Sequence, residues 1–129
     1  MSAKGNDDGR VAEIYRVILE TECRISELGL DEKTFIQDET VQGRTIADGI
    51  FMCVYRVTEE AGNITPDTRA GHPEIPWRAV RGMRNIFAHD YGKLDRQVVW
   101  NAATKDFGIL KQFCLAYAAE HGLTFDKEK

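Results

Sequence analysis

From Trp77 to Tyr91 the chain reads Trp-Arg-Ala-Val-Arg-Gly-Met-Arg-Asn-Ile-Phe-Ala-His-Asp-Tyr, a stretch rich in side chains that bind phosphate and move protons. At about 100° per residue in a helix, Ala79, Val80, Met83, Ile86 and Phe87 share one arc of about 120°, and Arg78, Arg81, Arg84, Asn85 and His89 fill the opposite arc. Such a polar arc is ordinarily a solvated helix face. Three features point to chemistry instead. The arc has arginines and no acid, so no i,i+4 ion pair within the helix accounts for it. Asn85 and His89 are four apart and therefore neighbours. Guanidinium groups are the donors suited to phosphate oxygens. An imidazole among them is a proton carrier near neutrality. The cluster would be Arg84, Asn85, His89 and Tyr91. Arg84 and His89 lie about 140° apart on an ideal helix, so the cluster requires a reaching Arg84 or a helix that loosens near His89. Asp90-Tyr91-Gly92 reads as a C-terminal turn that could supply the loosening and set Tyr91 beside the same pocket.

The elements around this stretch read as helices throughout. Asn6, Asp7 and Asp8 are good helix starters, and Val11, Ile14, Tyr15, Ile18, Ile25 and Leu28 recur at helical spacing until Gly29. After a polar bend at Asp31-Glu32-Lys33, a second long helix spans about Asp38 to Glu60. Its stripe is Ile46, Ile50, Cys53, Val54, Val57 and Ala61, and Gly62-Asn63 closes it. Residues 63–76 hold Pro66, Pro73 and Pro76 and read as an interhelical loop, with Pro76 in the first turn of the third helix, about Pro76 to His89. Asp95 can cap a fourth helix through Val98, Val99 and Trp100. Asp106 can cap a last one through Leu110, Phe113, Leu115 and Tyr117 to Gly122. No segment alternates with period two, so the fold class is all-α, with two long and two or three shorter helices.

A chain of 129 residues, 43% hydrophobic and 29% charged, makes one domain over residues 1–129, with a core over about 7–120 and a charged tail from Leu123 expected to fray. Met1 to Arg10 carries no apolar signal segment and no run reaches membrane-helix length, so a cytoplasmic protein is expected. Cys23, Cys53 and Cys114 are odd in number and far apart, and His72, His89 and His121 are scattered. Structural zinc and a disulfide framework are both disfavoured, and Cys53 and Cys114 read as buried thiols. The net charge of −4 hides a gradient: residues 1–40 carry five basic and ten acidic side chains, residues 65–100 six basic and four acidic. A local basic site on an acidic body confines any nucleic-acid contact to that site.

The string Arg84-Asn85-Ile86-Phe87-Ala88-His89-Asp90-Tyr91 matches the R-x4-H-x-Y motif of the HEPN superfamily. Ile75-Pro76-Trp77 before it, Val99-Trp100 after it and Glu60-Ala61 late in the second helix resemble the HepT branch, over roughly residues 7–120. The resemblance implies a HEPN-type helical bundle and a metal-independent endoribonuclease without cofactor. That enzyme would be the toxin of a toxin–antitoxin pair whose other member is a small MNT-type nucleotidyltransferase. An RNA 2′-hydroxyl attacking its own phosphate needs a proton acceptor, assigned to His89, and a fixed cation, assigned to Arg84, with Arg78, Arg81 and Asn85 holding RNA. The resemblance also implies a homodimer whose motif helices face each other, and makes Tyr91 the residue to which the nucleotidyltransferase transfers AMP as an off switch. The chain departs from the family pattern at Glu59, where a Gly usually precedes Glu-Ala. Glu60 is either a solvated helix-end carboxylate or one that orients Arg84. The alternative is a non-catalytic nucleotide- or RNA-binding module or partner scaffold, since a motif alone does not establish turnover.

Overall fold

Two long amphipathic helices, α1 (Ala3–Glu27) and α3 (Val41–Gly62), pack together. Val11, Ile14, Val17 and Ile18 of one, and Ile50, Cys53, Val54 and Val57 of the other, must leave water on the same side. The structure, a computed structural model, describes residues 3–89 and 95–125, with side chains from Asp7 onward. Between and after the long pair come α2 (Glu32–Gln37), α4 (Pro66–Ala70), α5 (Trp77–His89) and α6 (Arg96–Asn101). A π-helical turn (Ala102–Asp106) then leads into α7 (Phe107–His121). Among the described residues there is no strand, so the all-α expectation holds, and no helix is long and apolar enough to cross a membrane. From α7, Phe113, Cys114 and Tyr117 close the core against α1. Burial pushes the Cys114 thiol up to about 12, so it is an inert packing group.

Helix ends follow local chemistry where the chain supplies it. Asp31 and Asp95 cap α2 and α6, accepting from Thr34 N at 2.8 Å and Val98 N at 2.8 Å. Gly122, at φ +67°, ends α7 in the left-handed conformation that glycine adopts without strain. At Gly43 the reason is space, because a Cβ there would collide with Asp38 where the chain bends into α3. Three expectations need correction. The polar bend and the proline loop each contain a short helix, α2 and α4. Asp106 makes no side-chain cap, since the chain runs unbroken from α6 through the π-helical turn into α7. Finally, α1 begins ahead of Asn6, and its acids turn inward rather than cap it.

Those acids tie the bundle together. Asp7 is fully buried and accepts from Thr65 N at 3.1 Å, Thr65 Oγ1 at 2.6 Å and Thr68 Oγ1 at 2.6 Å, so it serves the start of α4 from a distant helix. Asp8 accepts from Tyr117 Oη at 2.6 Å. Replacing Asp7 by Ala strands three donors and should cost about 3 kcal/mol, seen as a melting temperature lower by roughly 10 °C in a circular-dichroism melt. A shift of only a degree or two would mean that water replaces the carboxylate.

Candidate active site

Helix α5 is pinned at both ends. At its start, Trp77 Nε1 donates to His72 O at 3.0 Å and the indole meets the Phe113 ring edge-on at 5.2 Å. Near its end, Phe87 is buried between Phe51 and Tyr55 of α3, with centroids 6.4 Å and 5.4 Å away. These anchors fix the rotation of α5 about its axis and lay part of its polar arc over the C-terminal end of α3. There Arg84 Nε donates to Glu59 Oε1 at 2.8 Å, Arg84 Nη1 to Asn85 Oδ1 at 3.3 Å and Arg81 Nη2 to Gly62 O at 3.3 Å. The last contact places a cation on a carbonyl at the negative end of a helix. Asn63 caps that end and donates from Nδ2 to Glu59 O at 2.9 Å.

The result is a polar cleft of about 220 Å³ lined by Glu59, Gly62, Asn63, Arg81, Arg84 and Asn85. Two guanidinium groups and two side-chain amides line it with one carboxylate. The Glu59 carboxylate holds the Arg84 guanidinium above its usual pKa by hydrogen bonding and charge attraction, so the site keeps its cation at every physiological pH. Both partners of this pair are about one third exposed, so an anion entering from solvent can compete for Arg84.

Of the residues expected in the site, the structure brings together Arg81, Arg84 and Asn85. It does not place Glu60 there. Glu60 accepts from Arg10 Nη1 at 3.2 Å, while its neighbour Glu59 takes Arg84. Consecutive helical residues point about 100° apart, so only one of the two can face α5. The departure from the family pattern at position 59 is thus the residue that orients the arginine. Its i,i+4 relation to Asn63 is the sequence signal that could have placed both on one face. Arg78 is exposed and outside the cleft lining. His89 is the last residue of α5 and exposed. The helix stays regular up to it, so the expected loosening does not occur before it and His89 is not among the residues lining the cleft. Tyr91, with Asp90 and Gly92, lies outside the described residues. Of the apolar arc of α5 only Phe87 is buried; Val80 and Met83 are half-buried, and Ala79 and Ile86 are exposed.

A family model described as Ribonuclease HepT-like matches residues 14–117. The chain is 38% identical over 55 residues to a protein named "Probable ribonuclease HepT" from Thermococcus cleftensis, covering 43% of this chain and 50% of that protein. It is 27% identical over 75 residues to "Putative RNase MJ0125" of Methanocaldococcus jannaschii, covering 58% of this chain and 65% of that protein. To "Putative RNase MJ1216" of the same organism it is 26% identical over 80 residues, covering 62% of this chain and 66% of that protein. The matched part therefore spans between half and two thirds of the length of these relatives. No solved structure matches.

Proposed function

Since the chain belongs to the Ribonuclease HepT-like family, in the HEPN superfamily, we propose that it is a metal-independent endoribonuclease acting on RNA through Arg84 and His89. The observation that carries this reading is the cleft in which α5 presents Arg84, Arg81 and Asn85 to solvent with the leading guanidinium already oriented. In the reaction the RNA 2′-oxygen bonds to the adjacent phosphorus as the bond to the 5′-oxygen breaks. An imidazole takes the 2′-hydroxyl proton, Arg84 balances the charge gathering on the phosphate oxygens, and the leaving oxygen takes up a proton. Purified protein in EDTA should cut RNA to fragments ending in a 2′,3′-cyclic phosphate or its opened product. Dependence on added divalent metal would overturn the assignment. One observation favours the non-catalytic alternative: His89 lies outside the cleft of its own chain. RNA retained without cyclic-phosphate ends would establish that binding module.

A homodimer meets that difficulty, and the uncovered side of α5 supports it. Ile86 is 41% exposed and Ile109 of α7 is 47% exposed. Ile109 also lines an apolar cavity of about 160 Å³ with Ala79, Val80, Met83 and Leu110. A second α5 against this side would cover apolar surface and bring His89 of each chain, three residues beyond Ile86 at the edge of the polar arc, toward the seam. Light scattering should give twice 14.6 kDa, and Ile86→Glu should shift the protein toward monomer with loss of cleavage. A wild-type monomer that still cleaves would contradict the composite site.

Regulation by an MNT-type nucleotidyltransferase, in a toxin–antitoxin module, completes the reading. AMP carried on Tyr91 would bring a negative phosphodiester and a bulky base to a site that has to receive RNA phosphate. Incubation with ATP, magnesium and the cognate nucleotidyltransferase should add AMP, detected by mass spectrometry, and abolish cleavage. Tyr91→Phe should escape both effects. If the partner silences Tyr91→Phe equally well, inhibition is by docking.

A further inference from the structure

The cleft contains a group that an RNA phosphate does not want. Glu59 stands between Arg84 and the end of α3, and an anion entering beside it meets a carboxylate as well as two guanidiniums. Orienting Arg84 takes only one of the two Glu59 carboxylate oxygens. The hydrogen-bonding pattern of the walls makes sense for a different part of the nucleotide. Glu59 spends Oε1 on Arg84 Nε, and among the described residues its Oε2 is uncommitted. Beside it, Arg81 uses Nη2 on Gly62 O, and Arg84 uses Nε and Nη1 within the cleft, so each guanidinium keeps further N–H donors. A wall with a carboxylate acceptor next to guanidinium donors is the complement of an edge carrying two adjacent donors and then an acceptor.

Among the RNA bases only guanine has that edge. Its N1–H and exocyclic N2–H2 lie side by side and its O6 follows. Uracil offers one N–H between two carbonyls, and cytosine and adenine each set an amino group beside an acceptor nitrogen that would face the carboxylate lone pairs. On this ground we infer that the Glu59 cleft is a base-recognition subsite for guanine next to the cleaved phosphate. In it, the Glu59 carboxylate accepts from N1 and N2, and Arg81 donates to O6, which leaves Arg84 for the phosphate. The inference rests on the ribonuclease reading and adds to it the base that the site selects. It also gives the Glu59–Arg84 pair two tasks: the same contact that aims the guanidinium leaves the second carboxylate oxygen available to a base.

The test uses the wild-type protein and 2′-O-methyl hexamers, which keep every base edge but lack the nucleophile, so binding is read without cleavage. Fluorescence anisotropy should show UUGUUU binding about tenfold more tightly than UUAUUU, UUCUUU or UUUUUU. Inosine in place of guanosine, which removes only the 2-amino group, should lose much of the preference without any change to the protein. Glu59→Gln, which replaces an acceptor oxygen by an amide donor, should bring the guanine preference close to unity. Equal affinity for all hexamers overturns the guanine subsite while the ribonuclease reading stands. A preference that survives Glu59→Gln or inosine substitution overturns the assignment of Glu59 to the base. If no hexamer binds, the RNA site itself is wrong, and the inference falls with it.

Discussion

His89→Ala is expected to reduce RNA cleavage by about 10²- to 10⁴-fold, the range that a positioned acid–base group contributes. The side chain ends α5 on the surface, so its removal leaves no cavity and strands no buried partner; the melting curve should be unchanged. RNA should still be retained, because the guanidinium groups remain. The informative measurement is single-turnover cleavage in EDTA together with a filter-binding curve on the same preparation, so that loss of chemistry is separated from loss of grip. Added imidazole should restore part of the rate in the variant and none in a variant lacking Arg84. Cleavage at the wild-type rate by His89→Ala would remove the histidine from the mechanism and return the protein to the RNA-binding alternative.

Arg84→Ala should cost about 10²- to 10³-fold in cleavage, the penalty for removing a donor aimed at developing charge. A second effect distinguishes it from His89→Ala. With Arg84 gone, Glu59 faces the cleft without its partner, so RNA affinity should drop as well, and by more than in Arg81→Ala, where the lost contact was to the carbonyl of Gly62. Arg84→Lys should recover only part of the rate. An ammonium group is a single point of charge and cannot both bond Glu59 and present a planar pair of donors to a phosphate. Salt titrations of binding check the electrostatic part, since the slope of affinity against salt should flatten in Arg84→Ala. An Arg84→Lys enzyme as fast as wild type would mean that only net charge matters at this position.

What the sequence determined is what is local along the chain. The apolar period of about 3.6 residues identified both long helices and α5, because a helix satisfies its backbone within four residues and needs only one face to be buried. Caps at Asp95, the stop at Gly122 and the start of α5 after Pro76 are likewise short-range effects that the residues themselves announce. The motif residues Arg84 and Asn85 were legible for the same reason: their spacing on one helix needs no partner to be read.

Tertiary structure decided everything that depends on how one helix is turned against another. Asp7 was legible as a helix starter, yet it is buried against Thr65 and Thr68 because the start of α4 packs there. Asp106 has the type of a cap, yet the turn it occupies is continuous with the helices on both sides. Glu59 and Glu60 cannot be told apart by type, and the rotation of α5 fixed by Trp77 and Phe87 gives Arg84 to the first and leaves the second for Arg10. The same rotation leaves Ile86 in solvent and His89 outside the cleft, although an amphipathic pattern places one inside and a motif places the other in the site. A helix pattern fixes angles about its own axis, about 100° per residue, but carries no reference direction; only packing against a neighbour supplies one.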